Sequence, residues 1–125
     1  MRGGKGWRVM STVDPQHYSE GDCLAAVSAA MHGRMPAGLE LRFQVKLRPG
    51  PGSYKRGARL DLAVIEVETG RIILVVEVKR SPASSASAQG ERYGRLAQCP
   101  VLYLRGIKAC RECPEVVLRA LAGIR

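Results

Sequence analysis

Two carboxylates and a lysine stand in stretches that are otherwise apolar. Asp61 interrupts the run from Leu60 to Val67, and Glu77 and Lys79 close the run from Arg71 to Lys79. Acids and lysines are seldom placed in such β-prone segments without a partner or a task, because burying an unpaired charge is costly. Brought together, two carboxylates and a lysine can hold a hard divalent cation beside a phosphodiester and stabilise the charge that develops on phosphorus.

Their proximity depends on strand register. Leu60 to Val67 and Arg71 to Lys79 are expected to form a hairpin around a three-residue loop, Glu68-Thr69-Gly70, in which Gly70 supplies the left-handed backbone. That loop pairs Val67 with Arg71 and therefore Asp61 with Glu77. Cross-strand partners share a face, with Cβ atoms ~5 Å apart. A two-residue loop, Thr69-Gly70, would instead pair Asp61 with Val78 and send the acids to opposite faces. Lys79 lies two residues beyond Glu77 and so projects from the same face.

Other elements must frame this hairpin. Ser19 is placed to cap a helix running to about His32, with Gly33 as its stop. Leu24, Val27 and Met31 form its apolar stripe, and Glu20, four residues before Leu24, falls on that stripe while Asp22 points elsewhere. From Leu39 to Arg48 the sequence alternates strictly, predicting a half-buried strand with Leu39, Leu41, Phe43, Val45 and Leu47 on one face. Two prolines, Gly50, Gly52 and Gly57 then mark a mobile basic loop carrying Arg48, Tyr54, Lys55 and Arg56. After Ser81-Pro82, a helix is expected over 84–97, weakened by Gly90 and Gly94. A short buried strand over 100–104 and a last helix over 114–122 complete the order α-β-β-β-α-β-α. This is an α/β pattern with helices on both sides of a central mixed sheet. Residues 1–16 lack periodicity and read as a flexible basic leader, with 17–125 as a single domain.

Composition narrows the function classes. The chain has 125 residues, 46% hydrophobic and 25% charged, which fits one soluble globular domain. The longest apolar run, Ile72 to Val76, is too short to span a membrane. The basic N-terminus is not followed by an apolar segment, so the expectation is a cytoplasmic protein with reduced thiols. Lys and Arg number 20 against 11 Asp and Glu, a formal net charge of +9 that favours nucleic acid as partner. No phosphate-binding glycine loop and no nucleophile elbow occur, which leaves NTP hydrolysis and serine hydrolase chemistry without support.

Asp61 followed by Glu77-x-Lys79 on the second and third strands of this order resembles the PD-(D/E)XK nuclease superfamily. Gln89-x-x-x-Tyr93 resembles the additional motif of its RecB-like branch. Stand-alone Holliday-junction resolvases and small restriction or homing endonucleases share the core. The resemblance runs roughly from Ser19 to Leu104; Arg59-Leu60 stands before Asp61 where the superfamily name would have proline. It implies a restriction-endonuclease-like αβββαβα core and metal-dependent cleavage of DNA, most simply by an endonuclease. Asp61, Glu77 and the carbonyl of Val78 would then ligate Mg²⁺ or Mn²⁺, with Glu20 as the helix-borne acid near the metal and Glu40 as a rival for that role. Lys79 would position water or stabilise charge, and Gln89 and Tyr93 would orient the site. Arg48, Tyr54, Lys55, Arg56, Arg92 and Arg95 are the candidate nucleic-acid contacts. A domain this small has limited surface for DNA, so a homodimer or higher oligomer is expected. The alternatives are a nucleic-acid-binding module on the same fold that does not cleave, and a basic accessory domain that binds protein.

Four cysteines remain. Cys110-Arg-Glu-Cys113, with Cys99 and Cys23, resembles the iron–sulfur staple of some RecB-like nucleases, although the late cysteines crowd the tyrosine motif. Reduced core thiols are the first expectation, with an iron–sulfur cluster or Zn²⁺ as alternatives. His17 and His32 lack metal-ligand spacing.

Overall fold

The first helix, α1 (Glu20–Met31), begins where the sequence places it. Ser19 and Asp22 form a reciprocal capping box: Asp22 N–H donates to Ser19 Oγ at 3.0 Å and Ser19 N–H donates to Asp22 Oδ2 at 2.9 Å. This is a computed structural model, and it describes residues 18–47, 58–81 and 88–124. The leader and the basic loop with Arg48, Tyr54, Lys55 and Arg56 lie outside the described residues. So does the start of the helix expected from residue 84.

Four strands form one mixed sheet: β1 (Leu39–Leu47), β2 (Ala58–Glu66), β3 (Ile72–Lys79) and β4 (Val101–Arg105). They lie in sequence order, with β1, β2 and β3 antiparallel and β4 parallel to β3. The crossover from β3 to β4 carries α2 (Ala88–Ala97). Beyond β4 the chain enters α3 (Gly106–Arg111) directly and then α4 (Cys113–Ile124). The sequence predicts a single helix here, over 114–122, whereas two are present. Gly106, at φ 88°, turns the strand into a helix without a loop, and Ile107 and Cys110 of that helix are buried.

The sheet divides the core in two. On one face α1, α3 and α4 bury Cys23, Val27, Met31, Ile107, Cys110, Val117 and Leu121 against Leu62, Val64, Val76, Val78 and Leu104. On the other, Tyr93 of α2 packs with Leu60, Ala63, Ile65 and Val75. The fold is thus α/β, a four-stranded mixed sheet flanked by helices on both faces. The buried anchors of α1 are Cys23, Val27 and Met31: Val27 and Met31 are as expected, while Cys23 takes the place of Leu24, which is only partly buried.

Two irregularities correct the expected strands. Leu39 and Leu41 of β1 pack on the first core face, but Val45 packs on the second and Phe43 is 40% exposed. Gln44, between Phe43 and Val45, has φ 54°. This left-handed residue breaks the alternation, so the five apolar residues of β1 do not share one face. The turn after β2 also differs. It spans four residues, Val67 to Gly70, because Glu66 N–H donates to Arg71 O at 2.9 Å and Gly70 N–H donates to Glu66 O at 2.8 Å. Gly70 does take the left-handed position, at φ 75°.

Candidate active site

The longer turn alone would carry Asp61 opposite Val76. A bulge restores the pairing. Ile65 is opposite Ile72, whereas Val64 is opposite Leu74, which leaves Ile73 as an extra residue in β3. From there Ala63 faces Val75 and Leu62 faces Val76, so the next position sets Asp61 against Glu77. Ile73 and Leu74 consequently both turn to the first core face, an exception to strand alternation. Asp61 sits beside the left-handed Gln44, whose side chain accepts a hydrogen bond from Arg59 Nη1 at 3.4 Å. Leu60 is buried on the second core face and Leu62 on the first, so β2 changes face at Asp61. The acid is thereby presented at the point where both strands twist.

Glu77 is 7% exposed and is the one buried charged residue among those described. Burial pushes its carboxyl up from the usual range, Asp61 and Glu20 push it further, and Lys79 partly offsets them. Lys79 Nζ lies 4.0 Å from Glu77 Oε1. Glu20 enters from α1, where its carboxyl comes close enough to that of Asp61 to interact with it. Its carboxyl is also raised, first by partial desolvation, then by the Asp61 charge, with Lys79 opposing. A helix N-terminus acting alone would favour the ionised acid; here desolvation and the neighbouring carboxylate outweigh it. Glu20 reaches this place because Cys23, three residues on, is its buried neighbour on the helix face. Glu40, the rival acid, is exposed and ion-paired with Arg42.

Three carboxyl groups with hard oxygen donors and one lysine therefore meet at the twisted end of the hairpin. Two of the acids hold their protons more tightly than usual, first because burial desolvates them and then because of the neighbouring carboxylates, whose charge a cation would offset. Among the described residues no three His, Cys, Asp or Glu side chains are close enough to hold one ion together. The arrangement suits an ion such as Mg²⁺, which keeps several waters and takes one or two carboxylates. The Val78 side chain is buried in the first core cluster, so only its backbone carbonyl is available as a donor.

Gln89 lies in the first turn of α2, one turn before Tyr93. Tyr93 is 7% exposed and packs with Leu60 and Val75, so its ring is a core element that braces the strand leading to Glu77. Arg92 is half-buried and Arg95 exposed on the same helix. Two residues passed over in the sequence also belong here. Parallel pairing sets Tyr103 beside Glu77 and Arg105 beside Lys79. The alternation Leu102, Tyr103, Leu104, Arg105 was the available signal, but nothing local specifies which residues of β3 they neighbour. A cavity of about 610 Å³ between α1 and α3, bordered by Tyr18, Asp22, Ala26 and Arg111, is not lined by the site residues.

The cysteines do not converge. Cys23, Cys110 and Cys113 are buried on the first core face, and Cys99 lies on the second, across the sheet. The Cys23 and Cys110 thiols are neighbours, and burial pushes the Cys110 thiol up to about 12. One cluster held by all four is therefore incompatible with this fold.

No protein-family model matches the chain, and the comparisons with curated proteins and with solved structures found no match either.

Proposed function

We propose that this protein is a metal-dependent nuclease that hydrolyses DNA phosphodiester bonds, built on a restriction-endonuclease-like core of the PD-(D/E)XK type. The observation that carries this reading is the nearness of Asp61 and Glu77, one position beyond the last paired residues Leu62 and Val76, with Lys79 beside Glu77. Glu20 beside Asp61 and the net charge of +9 add to it.

Asp61, Glu77 and the Val78 carbonyl would hold Mg²⁺ or Mn²⁺, with Glu20 completing the acidic surround. Such an ion supplies Lewis acidity toward the phosphate and makes water a better nucleophile. Glu77 contributes a carboxylate fixed by burial, which limits reorganisation. Lys79 places an ammonium beside that carboxylate, where it can donate hydrogen bonds to the attacking water or to a phosphate oxygen as charge builds. Tyr93 holds the second core face against β3. A DNA substrate would meet Arg92 and Arg95 of α2, and two copies of the chain would reach both strands of a duplex or a junction.

The test is cleavage of supercoiled, linear and four-way-junction DNA by the wild type and Glu77→Ala, with Mn²⁺, Mg²⁺ or EDTA. Metal-dependent cutting that the variant loses supports the nuclease. Tight binding without cutting by either protein would replace it with a non-cleaving nucleic-acid-binding module, and no binding would favour a protein partner.

A further inference from the structure

The row of side chains that begins with Asp61 and Glu77 continues onto β4, where it ends in a cation that forms no ion pair among the described residues. Tyr103 is the neighbour of Glu77 and Arg105 the neighbour of Lys79, while Leu102 and Leu104 turn to the opposite core face. Adjacent strands are ~4.8 Å apart, so the Lys79 and Arg105 stems rise side by side. The Arg105 guanidinium lies over the Tyr103 ring, 5.1 Å from its centroid. Among the described residues no carboxylate pairs with Arg105, and its buried Nε finds no hydrogen-bond acceptor. The residue as a whole is only half-buried and so keeps access to solvent.

Only Nε is shut off from water; the terminal nitrogens are not among the buried unpaired atoms and remain available to donate to an anion. The platform beneath it is firm. Gly90 of α2 comes so close to Tyr103 that a Cβ there would stand 2.7 Å from the phenolic oxygen. The planar cation is thus oriented before any ligand arrives, and little rotamer freedom remains to be lost on binding.

We propose that Arg105, braced on Tyr103, binds a backbone phosphate of the nucleic acid at this end of the sheet, next to the centre formed by Asp61, Glu77 and Lys79. The assignment rests on the nuclease reading and names the group that recognises its substrate. Arg105 receives the polyanion while the carboxylates repel it, which explains why a site rich in acid can still take up DNA.

The experiment is fluorescence anisotropy of a labelled DNA duplex with Ca²⁺ in place of Mg²⁺, across a salt series, for wild type, Arg105→Gln, Arg105→Lys and a control, Lys108→Gln. Lys108 is exposed on α3 and carries the same charge. Arg105→Gln is expected to bind about 10-fold more weakly and to lower the slope of log affinity against log salt by about one. Lys108→Gln should change neither by more than about 2-fold. Arg105→Lys, which keeps the charge and stem but not the planar fork, should fall between. With Mg²⁺, Arg105→Gln should raise KM more than it lowers kcat. Wild-type affinity and salt slope in Arg105→Gln, with cleavage intact in the wild type, would overturn this inference alone. An early-melting Arg105→Gln paired with an Arg105→Lys that binds and melts as wild type would also overturn the requirement for the guanidinium. A wild type that neither binds nor cuts DNA overturns both.

Discussion

Continued by one position, the Leu62–Val76 pairing sets Asp61 opposite Glu77, although the turn between their strands is one residue longer than regular pairing in that register would allow. The four-residue turn closes Glu66 on Arg71, and the extra residue Ile73 in β3 offsets it. The two carboxylates are then close enough to interact, with Lys79 beside Glu77. A buried hairpin is not expected to hold two carboxylates so close together without a cation or a reaction to justify the repulsion.

The raised carboxyl of Glu77 makes stability depend on pH in a definite direction. Its folded form holds the proton more tightly than the unfolded chain does, so ionisation favours unfolding. The contribution is most favourable below pH 4.5 and is lost as pH rises through the higher folded value. Relative to Glu77→Gln, the metal-free wild type should therefore lose Tm as pH climbs from ~4.5 to ~7. Added Mg²⁺ should narrow that gap near neutrality, because binding to the folded state alone stabilises it. Thermal melts across the pH series with and without Mg²⁺ measure this; a gap independent of pH would remove the electrostatic account of the site.

Lys79 and Asp61 should affect turnover more than binding. Lys79→Met and Asp61→Asn are each expected to lower kcat for DNA cleavage by about 100-fold or more, with KM changed only a few-fold. Steady-state kinetics on a single cleavable substrate would show it. A rise in KM with kcat preserved would mean that these residues bind DNA rather than act on it.

Glu20 is partly desolvated and interacts with Asp61. Glu20→Gln keeps the hydrogen-bonding capacity and removes the charge, so Tm in metal-free buffer should hold or rise, while Mg²⁺ affinity should fall by about 10-fold. Titration calorimetry with Mg²⁺ reads this directly, and unchanged affinity would dismiss Glu20 from the metal environment.

Glycines in α2 are where local propensity and packing disagree. An alanine in a helix interior is ordinarily better than glycine by about 1 kcal/mol. At Gly90 the added carbon would stand 2.7 Å from Tyr103 Oη, and at Gly94 it would stand 2.6 Å from Val101 Cγ2. Gly90→Ala and Gly94→Ala should therefore each destabilise, by about 1–3 kcal/mol, the usual range for overpacking. Urea denaturation would reveal the sign, and stabilisation by either would show that α2 sits farther from β4 than described.

Thiol reactivity should report burial. Cys99 is half-exposed, whereas Cys23, Cys110 and Cys113 are buried and burial raises all four thiols. With a disulfide-exchange reagent such as dithionitrobenzoate at neutral pH, Cys99 should react first and the other three only as the protein unfolds. Fast labelling of Cys110 in the native state would contradict the packing of α1 on α3.

Much of this was legible before the fold was known. Ser19 and Gly70 announce a cap and a left-handed turn position through backbone geometry that few residues satisfy, and both act as their types require. The interruption of apolar strands by Asp61, Glu77 and Lys79 singled out the residues that meet. The loop length is not legible in the sequence because turn and bulge compensate, and a bulged Ile73 looks like any other apolar strand residue. The twist at Gln44 was hidden because glutamine gives no sign of a left-handed backbone. Tyr93 fits its helix spacing, yet its ring belongs to the core.

The sequence by itself determined the chemistry available: which side chains are acidic or basic, where helices start, and which strands have an apolar face. Those are local properties, set by side-chain type and by backbone preferences over a few residues. Only the tertiary structure decided the company each residue keeps. Glu20 beside Asp61, Arg105 beside Lys79 and Cys99 across the sheet from the other thiols all depend on pairing between distant segments. A shift of one residue in such pairing reverses every side chain, and only the packed core selects one register over the next.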